Sequence, residues 1–199
     1  MEMLPIRRAI LSVTDKTGLA DFAVFLAGNG VDLVSTGGTC KMLQDAGITV
    51  TQVSDVTGFP EIMGGRVKTL HPAIHGGILA DKDNAEHLQT LEAHGIKAFD
   101  LVCVNLYNFA EAAAKQADLR SAIEEIDIGG PCMLRASAKN YHSVMVVPAP
   151  SFYPRIRKVL EENDMRVPLN LRLELAAAAF ATTSAYDSMI AAYLRENRC

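Results

Sequence analysis

Arg8-Ala9-Ile10-Leu11-Ser12-Val13-Thr14-Asp15-Lys16-Thr17-Gly18 is the stretch from which the fold can be read. Ile10, Leu11 and Val13 form an apolar run without clean alternation, which suits a strand buried on both faces in a parallel sheet. A polar turn follows. Leu19, Phe22, Ala23, Phe25 and Leu26 then recur at helical spacing until Gly28-Asn29-Gly30 supplies a stop. The pattern repeats, with Val31 to Ser35 as a second strand, Thr36-Gly37-Gly38-Thr39 as a second polar turn, Lys41 to Ala46 as a short helix ending at Gly47, and Ile48 to Val53 as a third strand. A β-α-β-α-β order calls for right-handed crossovers and helices packed on a parallel sheet, so the expected class is α/β.

Working outward, Asp100 to Leu106 is the most apolar strand and Ser143 to Val147 the last one, while Ile78 and Leu79 read as a further short strand. Helices are expected over Asn84 to His94, Ala110 to Glu125, Cys132 to Asn140, Ser151 to Glu162 and Leu169 to Arg195. The last is apolar on Leu171, Leu175, Ala178, Ala179, Thr182 and Met189, and its small residues suit close packing within the domain or against a second copy. Residues 1–199 are expected to form a single domain, with 150–199 as a helical extension.

A net charge of -4 gives no general pull toward nucleic acid or an anionic membrane, so any anion must be held locally. Cys40, Cys103, Cys132 and Cys199 form no C-x-x-C pair, which fits neither a zinc framework nor a disulfide scaffold and points to a reduced, cytoplasmic setting. Asp15 and Lys16 interrupt the first twenty or so residues, which read as neither signal peptide nor membrane span.

Chemistry-bearing residues gather in the turns. Thr36-Gly37-Gly38-Thr39, between strand and helix, can form an anion nest at a helix start, or can be an ordinary glycine turn. Ser12, Thr14 and Lys16 leave the neighbouring strand at the same sheet edge, and two adjoining loops of this chemistry favour phosphate. From Ser54 to Ile74 regular patterning stops, and this long loop holds Gly64-Gly65-Arg66-Val67-Lys68-Thr69-Leu70-His71-Pro72. Arg66 and Val67 separate the glycine pair from Lys68, so it is not a Walker A loop, and the first turn lacks the Rossmann glycine pattern. His71 and His75 stand four apart, but Pro72 argues against one helix through both, and no metal site is assigned. Asp127, beside Gly129 and Gly130, precedes a helix carrying Arg135 and Lys139; Asp127 and Lys139 read either as a structural ion pair or as an acid/base unit.

Ser12 to Gly18, Thr36 to Thr39, Gly58-Phe59-Pro60-Glu61, Gly64 to Pro72, Asn105-Leu106-Tyr107, Ile126 to Gly130 and Arg135-Ala136-Ser137-Ala138-Lys139-Asn140 together closely resemble the IMP cyclohydrolase domain of the bifunctional purine-biosynthesis enzyme. The resemblance runs essentially from end to end. It implies a methylglyoxal synthase-like three-layer α/β/α fold and cofactor-free ring closure of 5-formamidoimidazole-4-carboxamide ribotide to IMP. By that resemblance Ser12, Thr14, Lys16, Thr36, Gly37, Gly38 and Thr39 hold the 5'-phosphate, and Arg66, Thr69, Asn105, Ile128, Gly129 and Gly130 bind the rest of the substrate. Lys68, Tyr107, Asp127 and Lys139 are the implied catalytic groups.

The family also favours a homodimer acting on a small purine nucleotide, with no nucleic acid, membrane or metal involved. Asn108 stands where the family has proline and Ser137 where it has alanine; neither removes a reacting group. The family usually continues into a transformylase domain beyond the position of Cys199, so formyl transfer is not assigned here: either the chain is a stand-alone cyclohydrolase supplied by a separate formylating enzyme, or the sequence is an excised fragment. Two alternatives share the phosphate loops: a methylglyoxal synthase-like enzyme and a nucleotide-sensing regulatory domain.

Overall fold

A computed structural model of the protein describes residues 1–116 and 118–197, so Ala117, Arg198 and the Cys199 thiol lie outside it. In chain order the first half contains β1 (Met3–Pro5), β2 (Arg8–Ser12), α1 (Leu19–Gly28), β3 (Asp32–Ser35), α2 (Gly37–Asp45), β4 (Thr51–Gln52), α3 (Val53–Thr57), α4 (Pro72–Leu79) and α5 (Ala85–Ala93). The second half contains β5 (Leu101–Val104), α6 (Phe109–Ala113), α7 (Leu119–Glu124), α8 (Gly129–Lys139), β6 (Met145–Val147), α9 (Tyr153–Glu162), β7 (Arg166–Pro168) and α10 (Leu169–Glu196). The sheet is parallel, in the order β4-β3-β2-β5-β6.

Burial on both faces explains the unbroken apolar strands. Ile10 pairs with Val34 on one side and Val102 on the other, Val102 pairs with Val146, and all four are fully buried. α1, α2 and α9 cover one face, α4, α8 and α10 the other, as right-handed crossovers running in opposite directions from β2 require. The strand order therefore reverses at β2. Register keeps the carboxyl ends of β2, β3 and β5 level, with Leu11 opposite Ser35 and Ser12 opposite Val104. Loops leaving these ends meet at a topological switch point, where open α/β sheets bind ligands.

Several elements depart from expectation. Ile78 and Leu79 end helix α4 rather than forming a strand, because Pro72 occupies the first helical turn, where its missing N–H costs nothing, and His71 Nδ1 caps Ala73 N–H at 3.1 Å. Gly77 lets α4 close on the sheet: a methyl group there would stand 2.7 Å from the Lys97 carbonyl and 3.0 Å from the Phe99 ring. The third strand shortens to Thr51–Gln52, and the stretch from Ser54 to Ile74 holds most of α3, a 3-10 turn at Met63–Gly65 and the start of α4. The segment expected as one helix over Ala110 to Glu125 contains α6 and α7.

The carboxyl-terminal region includes a strand as well as helices. β7 pairs antiparallel with β1, and Leu4 and Val167 meet there in the core. Arg172 follows, fully buried on the face of α10 that the apolar pattern alone leaves to hydrophobes. Its guanidinium donates to the carbonyls of Tyr141, His142, Met1 and Glu2, joining both ends of the chain to the turn before β6. Arg172→Met removes the donor from the Met1, Tyr141 and His142 carbonyls, while Glu2 keeps the Leu169 N–H at 3.0 Å, which should cost about 3 kcal/mol. A fall of roughly 6–12 °C in Tm by circular dichroism is expected; an unchanged Tm would show that the arginine is dispensable.

Candidate functional site

A cleft of ≈ 890 Å³ opens at the switch point. One end is built by Ser12, the last residue of β2, and Thr36, the residue before α2. Their hydroxyls share a 2.8 Å hydrogen bond, so Thr36 does not cap its own helix. Gly37, at φ +41°, and Gly38 lie exposed at the uncapped start of α2, where backbone N–H groups and the helix dipole favour an anion. Thr14 and Lys16 are exposed on the adjoining loop, with the Lys16 ammonium 3.5 Å from the Thr14 carbonyl.

Thr39 and Asn105 do different work from that expected. Thr39 is buried, and its hydroxyl accepts from Val13 N–H at 3.1 Å and donates to the Val13 carbonyl at 2.9 Å. Asn105 accepts the N–H groups of Thr14 and Asp15 at 2.8 and 2.9 Å and donates to the Asp15 carbonyl at 2.8 Å. Both side chains shape the first loop through its backbone.

Lys68 lies in the middle of the cleft. Its ammonium is 3.4 Å from Glu61 Oε2, and a methyl group on Gly37 would stand 3.9 Å from it. Gly65, at φ +95°, makes the approach possible, since a side chain there would sit 2.6 Å from Glu61 Oε1. Asp127 is deeper. Burial pushes its carboxyl above the usual carboxylate range, opposed by the Gly130 N–H at 2.9 Å, the Lys68 charge and the Gly129 N–H. Tyr107 is half-buried beside it, and burial, then Tyr186, hold its phenol well above the ordinary value.

Two glycines make this floor possible. A methyl group on Gly129 would stand 2.6 Å from the buried Thr69 hydroxyl, and one on Gly130 would overlap Asp127 Oδ2 and sit 2.8 Å from Leu106 Cδ2. Gly130→Ala should therefore displace the Asp127 carboxylate. About a tenfold or greater loss of kcat at little change in Tm is expected if Asp127 acts in the chemistry; wild-type kcat would contradict that.

Met63, Leu70, Ile123, Ile126, Ile128 and Met133 supply apolar wall. Across the mouth Arg66 makes a two-pronged pair with Glu124, Nε to Oε2 at 2.9 Å and Nη2 to Oε1 at 2.5 Å. Both side chains are exposed, so the pair contributes little to stability, and Arg66 can be drawn to a ligand at small cost.

Lys139 is not brought to this site within the chain. α8 runs straight from Gly129 at the carboxyl edge, and its eleven residues carry Lys139 about 15 Å away toward the opposite edge, where it is exposed. Neither the ion pair nor the acid/base unit with Asp127 forms inside one chain. Arg135, on the same helix, lies over the Phe180 ring at 5.5 Å. His71 caps α4 while His75 lies within it, so Pro72 begins a helix rather than preventing one. Among the described residues a metal could be held by Asp81, Asp83 and His142, but these belong to turns at the amino edge of the sheet, and Asp83 already pairs with the Met1 ammonium at 2.8 Å.

Sequence reading misses Glu61 and Tyr186. Glu61 stands in a quoted motif without a role, and only the turn through Gly64 and Gly65 reveals its contact with Lys68. Tyr186 shares a helical face with Thr182 and Met189, and a tyrosine on a buried stripe signals that its hydroxyl has a partner. The partner is the Asp127 N–H, at 2.8 Å.

Fold and cleft together define an α/β ligand-binding domain with its site at the carboxyl edge of a parallel sheet. The chain belongs to the MGS-like domain family, whose model matches residues 18–132. The model described as AICARFT/IMPCHase bienzyme matches residues 137–199. Two curated proteins named bifunctional purine biosynthesis protein PurH, from Chelativorans sp. and Agrobacterium fabrum, are each 52% identical over 98% of the chain, which spans 36% of their length. The crystal structure of ForH superposes with a TM-score of 0.84 at 38% identity, over 94% of this chain and 97% of that one. No helix among the described residues is long and apolar enough to cross a membrane.

Proposed function

We propose that the chain is an IMP cyclohydrolase, closing the purine ring of 5-formamidoimidazole-4-carboxamide ribotide to give IMP and water. The observation that carries this reading is the arrangement along one cleft: an uncapped helix start with Ser12 and Thr36 at one end, then the Lys68 ammonium, then the half-buried Asp127 carboxylate beside Tyr107. Similarity to proteins of purine biosynthesis supports it.

In this reading the 5'-phosphate lies on Ser12, Thr36 and the Gly37 and Gly38 N–H groups, with Lys16 and Thr14 at its outer side. Thr39 and Asn105 hold the loop shape. The imidazole lies between the apolar wall and the floor formed by Thr69, Ile128, Gly129 and Gly130, with Arg66 released from Glu124 to close the mouth. The carboxamide nitrogen attacks the formyl carbon and gives one proton to Asp127. Lys68 and Tyr107 stabilise the oxygen as it becomes anionic. Lys68 protonates the oxygen to a hydroxyl, the proton held by Asp127 is returned to it so that the C–O bond breaks with loss of water, and the formamide nitrogen gives its proton back to Lys68 as the new C=N bond forms. A phosphate held far from the reacting atoms fixes the two arms in a reactive conformer.

The same reading carries a cytoplasmic homodimer; the free Cys40, Cys103 and Cys132 are consistent with a reduced setting. Side-by-side assays test the activity: IMP is expected from the formamido ribotide, and no methylglyoxal from dihydroxyacetone phosphate. The reverse outcome would favour the synthase, and IMP binding without either product would favour a sensor.

A further inference from the structure

Glu61 and Lys68 stand opposite each other because of a tight turn. Ile62 and Val67 form an antiparallel bridge, with the Ile62 N–H donating to the Val67 carbonyl at 3.1 Å and the Val67 N–H to the Ile62 carbonyl at 3.5 Å. Residues flanking a bridged couple face each other, so this register sets Glu61 against Lys68. The turn holds Gly64 at φ +63° and Gly65 at φ +95°, values that favour glycine. Gly65 also leaves room for the pair: a methyl group there would stand 2.6 Å from Glu61 Oε1 and 3.4 Å from the Lys68 ammonium.

Lys68 has a second anion site within reach. A methyl group on Gly37, the first residue of α2, would stand 3.9 Å from its ammonium. A phosphate on the Gly37 and Gly38 N–H groups therefore lies within the sweep of its flexible four-carbon stem. Near neutral pH such a phosphate carries a charge of about -1.5 to -2, more than the single charge of Glu61. At equal distance its Coulomb pull is the stronger. A lysine captured by the phosphate contributes equally to the bound substrate and the transition state, which raises affinity without raising kcat.

We propose that Glu61 is a positioning residue that holds the Lys68 ammonium off the phosphate of the substrate and keeps it for the formyl oxygen. This inference rests on the cyclohydrolase reading. The carboxylate meets the ammonium at 3.4 Å from the side of the turn, and the Ile62–Val67 bridge keeps it there. Both side chains are partly exposed, so the contact is weak enough to be exchanged for the oxygen as that atom becomes anionic. The protein gives up some affinity for phosphate in the ground state and gains a cation for the transition state.

Glu61→Gln keeps the shape of the side chain and removes its charge. Ribose 5-phosphate, which carries the phosphate but no base, should bind this variant about threefold to tenfold more tightly than wild type by calorimetry. Turnover of the formamido ribotide should fall about fivefold or more in kcat. A turn that had merely lost its shape would bind the fragment no better. Removing a negative charge beside an anion site also raises affinity by itself, so the comparison is repeated without the lysine. In Lys68→Ala, adding Glu61→Gln should change ribose 5-phosphate affinity by less than about twofold, because Glu61 acts through Lys68. A gain that persists in full without Lys68, unchanged fragment affinity in Glu61→Gln, or wild-type kcat in that variant would overturn the inference. IMP formation by the wild type in the same assay reports separately on the cyclohydrolase reading, and fragment binding is measured whether or not turnover occurs, so the two failures are distinguishable.

Discussion

Lys68→Ala is expected to lower turnover of the formamido ribotide by about 10²-fold or more, with a smaller change in IMP affinity. The amide nitrogen is a weak nucleophile and hydroxide a poor leaving group, so the barrier rests on charge that develops on the formyl oxygen. Lys68 is the cation placed between the anchor and Asp127, and its other partner is the exposed carboxylate of Glu61. On the proposed reading alanine leaves Tyr107 as the remaining donor at that oxygen, so the loss should appear in kcat rather than mainly in KM. Lys68→Arg keeps the charge but replaces a compact ammonium with a planar fork and should recover only part of the rate. Unchanged turnover in Lys68→Ala would remove the residue from the chemistry.

Asp127→Asn is expected to reduce kcat by a similar factor, about 10²-fold, while leaving the fold at least as stable at neutral pH. The sign follows from burial. Desolvation raises the Asp127 pKa in the folded chain, more than the Gly130 N–H, Lys68 and the Gly129 N–H lower it. The folded state therefore holds this proton more tightly than the unfolded state. The stabilisation this gives is complete below the unfolded carboxyl pKa and is lost as pH rises through the folded one. At higher pH the half-buried charge works against folding, so asparagine should raise or preserve Tm near pH 8, with the difference vanishing in acid. Activity runs the other way: the wild-type rate should rise as Asp127 loses its proton, at a pH above the ordinary carboxylate range, and that limb should be missing in Asp127→Asn. Wild-type kcat in the variant, or a marked fall in its Tm near pH 8, would contradict the assignment.

The parallel sheet is legible in the chain because double-sided burial leaves little room for polar residues in a strand: Ile10, Leu11, Val34 and Val102 announce it. The elements missed are those in which local and long-range signals diverge. Ile78 and Leu79 look like a strand fragment, yet the capping of α4 by His71 and Pro72, six residues or so upstream, settles the matter. β1 and β7 carry only three residues each and become a sheet only by meeting across the whole chain. Arg172 interrupts an apolar stripe, and only the convergence of four carbonyls on its guanidinium explains it.

Within the cleft, Ser12, Thr36, Lys68, Tyr107 and Asp127 come together from separate loops, as their position at strand ends suggests. Lys139 does not, because a helix of eleven residues carries its last side chain away from its first. Asn105 and Thr39 show that polar residues beside a ligand loop can be committed to the loop itself. The contribution of α10 through Tyr186 is long-range and visible only when helix and floor are packed together.

The most direct test mixes the purified chain, with no folate and no added metal, with 5-formamidoimidazole-4-carboxamide ribotide and follows the ultraviolet spectrum. The account requires the purine spectrum of IMP to appear at a rate proportional to protein concentration. A spectrum that stays that of the ribotide, with protein that is folded and binds IMP, would contradict it.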